Sequence, residues 1–115
     1  MIKEISEYLI SPKLNIHDVI KVINLGAAQI ALVFDSEQRL LGTVTDGDIR
    51  RGLLNGKTLD SSVEQVMRRE FFSLPADCQE NLAFRIMRNK TLHHIPGLDS
   101  EGRIVRLFLL EDFIK

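Results

Sequence analysis

Asp35-Ser36-Glu37-Gln38-Arg39 returns 64 residues later as Asp99-Ser100-Glu101-Gly102-Arg103, with four of the five residues identical. The same offset pairs Val19, Ile20, Val22 and Ile23 with Ala83, Phe84, Ile86 and Met87. It also pairs Leu40 and Leu41 with Ile104 and Val105, Asp48 with Asp112 and Ile49 with Phe113. Apolar positions fall on apolar positions, so the two copies share a pattern of burial as well as a turn. A period this long leaves room for two copies in 115 residues, and neither is large enough to bury a core unaided. The expectation is a duplicated half-domain, residues 1–57 and 58–115, each completing the other.

Within the first copy Ile16, Val19, Ile20 and Ile23 follow the period of an amphipathic helix, with Asn15 placed to cap its start and Gly26 to end it. Ile30–Phe34 is a short apolar run of β-formers, residues 35–38 are a turn and Leu40–Val44 is a second strand, which predicts a hairpin. Thr45 opens another helix: its hydroxyl caps, Asp48 takes the acidic place of a capping box, Ile49, Leu53 and Leu54 form the buried face, and Gly56 stops it. An extended piece at Tyr8–Ile10, ahead of Pro12, completes a β-α-β-β-α unit. The second copy predicts a strand at Phe71–Leu74, a helix at Gln79–Arg88, strands at His94–Leu98 and Ile104–Leu109, and a helix from about Glu111 that Lys115 cuts short. Between the copies, Ser61 with Glu64 and Ser62 with Gln65 make two overlapping capping boxes, predicting a linker helix near 61–68. The fold class is α+β, two tandem β-α-β-β-α repeats packed as a pseudo-twofold pair.

Several functions are excluded before any site is considered. Lys and Arg number 15 against 16 Asp and Glu, a net charge of −1, so no basic field draws the chain to nucleic acid or an anionic membrane. The longest apolar run, Ile30–Phe34, is far short of the ~20 residues of a membrane span. Lys3, Glu4 and Glu7 deny the N-terminus a signal-peptide core, and the expected location is cytoplasmic. The single cysteine, Cys78, excludes an intrachain disulfide and a Cys-based zinc cluster, and reads as a small packed hydrophobe at a helix start. His93 and His94 begin a strand, so their rings point to opposite faces and no metal is expected. Asp46 and Asp48 have no Ser/His/Asp or Cys/His set, P-loop or HExxH beside them, so no catalysis is expected. The Arg68-Arg69 and Arg85/Arg88/Lys90 clusters read as solvated faces.

The dense constellation is Gly42-Thr43-Val44-Thr45-Asp46-Gly47-Asp48-Ile49-Arg50-Arg51, where a strand turns into a helix. Such a junction offers free backbone N–H groups and the positive end of a helix dipole, which suit phosphate. Asp48 can accept from the two hydroxyls of a ribose, Thr45 can donate to ribose or phosphate, and Gly42 lets a ligand approach the strand. Arg50 or Arg51 can reach a phosphate. The alternative is that Thr45 and Asp48 only cap their helix.

With the duplicated order of elements, the signature Gly-hydrophobic-hydrophobic-Thr/Ser-x-x-Asp, carried by Gly42, Thr43 (a variant), Val44, Thr45 and Asp48, resembles that of paired cystathionine-β-synthase (CBS) domains, or Bateman modules. Val63, Val66 and Met67 resemble the lead-in to the second domain. The resemblance covers nearly the whole chain. It implies a non-catalytic regulatory module that binds an adenosine nucleotide (AMP, ADP or ATP) through Thr45 and Asp48, with Ile10, Ser11, Ala28 and Ala31 as further candidates for the pocket. In the second copy Arg106 replaces Gly42 and Leu109 replaces Thr45, which leaves Asp112 as the one second-copy candidate. More narrowly, the stretch from Gly42 to Leu54 resembles the domain pairs joined to bacterial sugar-phosphate nucleotidyltransferases, implying a linked or partner enzyme of that type. The alternative is a purely structural dimerisation module with a vestigial pocket. Under either reading, apolar helix surface at Ile49, Leu53, Leu54 and Phe113 predicts a homodimer.

Overall fold

The computed structural model describes residues 5–25 and 29–114. Gly26, expected to end the first helix, and the site candidate Ala28 lie outside the described residues. The chain divides into two units, Ser6–Phe71 and a second that runs from Phe72 onward together with Ile5.

The first unit contains β1 (Leu9–Ile10), α1 (Ile16–Leu25), β2 (Ile30–Phe34), β3 (Leu40–Thr45) and α2 (Asp46–Leu54). Tyr8, expected in the strand, closes a 3-10 turn over Ile5–Tyr8 instead. β2 is central, parallel to β1 and antiparallel to β3. Asn15 caps α1 as its sequence position suggests, its Oδ1 accepting from the Asp18 N–H at 2.9 Å. The helical stripe then buries Ile16, Val19 and Ile23 against Ile10, Ala31, Val33 and Val44 of the sheet. Full burial of side chains of this size contributes about 1.5–3 kcal/mol each. Ile49 of α2 joins the same core, whereas Leu53 is 39% and Leu54 79% exposed. The expected outward apolar face of α2 therefore loses Ile49 and consists of the two leucines.

The second unit repeats the plan as β4 (Leu74–Pro75), α3 (Glu80–Lys90), β5 (His94–Leu98) and β6 (Ile104–Leu109). The offset of 64 holds in the sheet register residue by residue. Ile10 pairs with Val33 as Leu74 pairs with Gly97, and Ile30 pairs with Thr45 as His94 pairs with Leu109. Even the bulge recurs, at Val33/Phe34 and at Gly97/Leu98. The repeated pentapeptides build the same turn: Asp35 Oδ1 accepts from the N–H of Glu37 at 2.8 Å and of Arg39 at 3.0 Å, while Asp99 Oδ1 accepts from those of Glu101 and Arg103, both at 2.9 Å. An aspartate that accepts from its own backbone two residues on is what fixes such a turn.

Four further sequence expectations change. The strand expected at Phe71–Leu74 is Leu74–Pro75, and the last helix is a single 3-10 turn, Leu110–Asp112. Phe113 follows that turn and stacks on Phe84 with ring centroids 5.2 Å apart, so it does not belong to an open docking face. The linker helix near 61–68 shrinks to a 3-10 turn at Val63–Gln65. Its backbone groups are spent elsewhere: Ser61 O accepts from Ile16 N–H and Leu14 O from Val63 N–H, both at 2.9 Å, and Arg68 exchanges bonds of 2.8 and 3.0 Å with Thr43. A segment stitched to α1 and β3 in this way cannot also close a run of i to i+4 bonds. Three α-helices are present among the described residues, and none is long and apolar enough to cross a membrane.

Candidate functional site

β3 ends at Thr45 in extended geometry, and α2 starts at the next residue. This junction places Asp48 three residues into the turn, where its carboxylate folds back. Oδ2 accepts from the Thr45 N–H at 3.0 Å and from the Thr45 hydroxyl at 3.2 Å. Oδ1 accepts from Arg51 Nη2 at 2.5 Å and from Arg68 Nη2 at 3.4 Å. The Asp48 side chain is only 5% exposed, while those of Arg51 and Arg68 are 59% and 57% exposed. A buried carboxylate needs partners of this kind, since an unpaired buried charge is costly. Thr45 and Asp48 thus come together as the sequence implies, with the acceptor capacity of the carboxylate taken up by the chain itself.

Arg68 is the participant that sequence reasoning missed. Its cluster was expected to be solvated, yet Arg68 reaches Asp48 from 20 residues away because its backbone bridges to Thr43 on the open edge of β3. Its neighbour Arg69 pairs with Glu64 at 3.7 Å. The signal that could have pointed here is Gly42. A Cβ at that position would stand 2.9 Å from the Arg68 carbonyl oxygen and 3.0 Å from the Met67 side chain. The absence of a side chain at Gly42 is therefore used by the incoming linker, where the sequence reading assigned it to a ligand. In the other basic cluster Arg85, Arg88 and Lys90 are all exposed, as expected of a solvated face, with Arg88 over the Phe84 ring at 5.7 Å and Lys90 over Phe72 at 5.0 Å.

The remaining candidates are dispersed. Ile10 and Ala31 are buried in the core that α1 covers. Ser11 leaves β1 level with Phe34, while Thr45 is level with Ile30 at the other end of β2. At about 3.3 Å per residue the two are roughly 13 Å apart along the sheet. In the second unit Asp112 is exposed on the short 3-10 turn. Arg106, in the place of Gly42, lays its guanidinium 4.1 Å from the Phe108 ring centre and bonds Glu80 at 3.1 Å. A cleft of about 760 Å³ opens at the far end of that sheet, lined in part by Leu74, Pro75, Leu98 and Asp99. Cys78 is half-buried against the second core, and that burial pushes its thiol pKa up, as a packed hydrophobe requires. His93 and His94 keep their rings 6.3 Å apart, and no group of three His, Cys, Asp or Glu is gathered for a metal among the described residues.

Residues 2–55 match the family model for the CBS domain. The chain is 28% identical over 111 residues to a 17.7 kDa protein of Acidianus ambivalens, covering 94% of this chain and 65% of that one. It is 35% identical over 100 residues to the probable arabinose 5-phosphate isomerase of Haemophilus influenzae, covering 85% of this chain and 29% of that one. It therefore spans less than two thirds of either relative. Among solved structures it superposes on the CBS domains of a transcriptional regulator from Streptococcus pneumoniae with a TM-score of 0.80 and 17% identity, over 97% of this chain and 91% of that one. CBSX2 in complex with AMP gives a TM-score of 0.80 at 17% identity, over 92% and 83%. The CBS domain pair of protein MJ0100, in complex with 5′-methylthioadenosine and S-adenosyl-L-methionine, gives 0.77 at 20%, over 91% and 86%. At these identities the structural likeness is one of fold.

Proposed function

We infer that this chain is a CBS domain pair, since its first repeat matches the family model and its fold is common to such pairs, and that it binds an adenosine nucleotide through Thr45 and Asp48. CBS domains are regulatory, non-catalytic modules. The observation that carries the reading is the buried Asp48 carboxylate at the head of α2, inside the matched residues, with a hydroxyl and two guanidiniums around it. Support comes from CBSX2, which holds AMP, and from the MJ0100 pair, which holds two adenosine derivatives on the same fold. Ile10, Ser11, Ala28 and Ala31 are the secondary candidates, Asp112 is the second-copy one, and the repeats divide at residues 57 and 58. The regulated enzyme, linked or separate, acts on a sugar phosphate. The stretch from Gly42 to Leu54 favours a nucleotidyltransferase, and the isomerase relative is also a sugar-phosphate enzyme. The module works in the cytoplasm and self-associates as a homodimer, with exposed Leu53 and Leu54 as the surface to be covered.

Calorimetric titration with AMP, ADP, ATP and the guanine nucleotides tests this reading. Asp48→Ala is expected to weaken nucleotide binding by about 1.5–3 kcal/mol, a tenfold loss or more, because it removes a charged acceptor. Asp112→Ala leaves binding unchanged. A second reading, a structural dimerisation module, is favoured by the way Asp48 is already satisfied within the chain. Absence of binding heat across the whole panel, with a dimer in sedimentation, selects that second reading.

A further inference from the structure

We propose that Arg51 and Arg68 are an oxyanion grip, with Asp48 as the internal counter-ion that a phosphate group replaces. For the identity of the natural ligand the proposal rests on the nucleotide reading above; for the grip itself it rests on the geometry. Nη2 of each arginine approaches the same oxygen, Asp48 Oδ1, at 2.5 and 3.4 Å. The two nitrogens therefore lie within about 6 Å of each other, a separation that one phosphate can bridge through two charge-assisted hydrogen bonds. Two guanidiniums share the one buried carboxylate of the first turn of α2, whose other acid, Asp46, is exposed, and the helix dipole adds to the pull of the arginines on an anion. Both guanidiniums are more than half exposed, while the carboxylate beneath them is 5% exposed, so an anion meets the arginines first.

The exchange follows from hydrogen-bond capacity. A carboxylate has about four acceptor positions, and here Thr45 takes two on Oδ2 while the arginines take two on Oδ1. A ribose diol reaches Asp48 only by displacing the guanidiniums, and displaced guanidiniums need another anion. A nucleotide brings both groups at once: phosphate to the arginines, hydroxyls to the carboxylate. A nucleoside brings only the diol and must break two ion pairs without replacing them. Arg68 also carries the main-chain bridge to Thr43, so its change of partner acts at the end of the 61–68 linker, where that segment is stitched to β3.

Titrations of the whole chain with AMP, adenosine and pyrophosphate test the grip, using the wild type, Arg51→Gln, Arg68→Gln and the charge-preserving Arg68→Lys, all checked for an unchanged thermal transition. The wild type is expected to bind AMP at least 30-fold more tightly than adenosine. In the two glutamine variants AMP affinity drops at least tenfold while adenosine affinity stays level or rises, because a competitor for Asp48 has gone. Arg68→Lys keeps most of the AMP affinity. Pyrophosphate binds the wild type and loses at least tenfold in either glutamine variant. If pyrophosphate binding depends on the arginines but no nucleotide binds better than pyrophosphate, the nucleotide reading fails and the grip stands. If nucleotides bind but the glutamine variants lose AMP and adenosine equally, or lose neither, the grip is overturned and the nucleotide reading stands. If the wild type binds none of the three, both are overturned.

Discussion

The turn that carries Thr45 and Asp48 has a counterpart 64 residues later in Leu109 and Asp112, set in the same register on the same kind of sheet. In the first, a hydroxyl and a carboxylate close on each other and a nine-residue helix follows. In the second, Leu109 offers no acceptor to the first N–H groups, and the chain makes one 3-10 turn with Asp112 exposed. The row of residues across each sheet differs in a related way. Ile10, Val33 and Gly42 stand side by side in the first unit, and Leu74, Gly97 and Arg106 in the second, so the residue without a side chain has changed strands. The space over Gly42 takes the Met67 side chain and the Arg68 carbonyl, whereas that over Gly97 takes the stem of Arg106, 2.7 Å from where a Cβ would stand. Duplication has preserved the backbone through the apolar pattern and the aspartate turn. The chemistry has diverged at positions to which that pattern is indifferent.

The largest expected effect tests whether the two cores are equivalent. Ile23 and Met87 occupy matching positions, at 2% and 0% exposure, each beneath its own helix. Ile23→Ala and Met87→Ala are each expected to cost about 2–5 kcal/mol in urea unfolding, the lost transfer energy plus a cavity. A cost below about 1 kcal/mol at Met87 alone would show that the second copy keeps the pattern without the packing. A smaller effect separates the two turns. Asp48→Ala removes a capping interaction and the partner of two half-exposed arginines, at about 1–2 kcal/mol. Asp112→Ala is expected to stay within about 0.5 kcal/mol, as for a surface position. Equal costs at the two sites would mean that the asymmetry of the turns has no energetic content.

How far the sequence reaches follows the same division. The hairpins of both copies are legible to within a residue, because strands of five and six residues with an aspartate turn between them leave the register one choice. The short parallel strands are legible only in part: β1 falls within the expected Tyr8–Ile10, whereas β4 shares only Leu74 with the expected Phe71–Leu74, because strands of two residues exist through their pairing with β2 and β5. The Thr45–Asp48 pair is legible from its spacing. The Arg68 contact is not, since a β-bridge between residues 43 and 68 leaves no periodic trace in either segment. The overlapping capping boxes at Ser61 and Ser62 misled for a similar reason. Ser62 Oγ does accept from the Glu64 N–H at 3.1 Å, but Ser61 Oγ accepts from Thr58, and tertiary bonds to Leu14, Ile16 and Thr43 take the rest of the segment.

The smallest expected effect concerns the turns that the two copies share most closely. Arg103 donates from Nε to Asp99 Oδ2 at 2.8 Å, while its counterpart Arg39 pairs with Glu37. That side-chain bond, followed by the backbone N–H groups of Arg103 and Glu101, holds the Asp99 carboxyl below the usual carboxylate range. A carboxylate whose pKa is lower folded than unfolded contributes stability above its unfolded value of about 4 and loses it as the pH falls through the folded value. Wild type is therefore expected to exceed Asp99→Asn in urea midpoint at pH 7, and the gap is expected to close as the pH falls below about 4 and through the lowered folded value. High salt narrows the gap at pH 7, because the pair is at the surface. Asp35→Asn keeps an Oδ1 acceptor for the same two backbone N–H groups and has no arginine partner to lose, so its loss at pH 7 is smaller. A gap for Asp99→Asn that is as wide at pH 2 as at pH 7 would mean the turn is held by its shape alone, and that the two copies do not differ there.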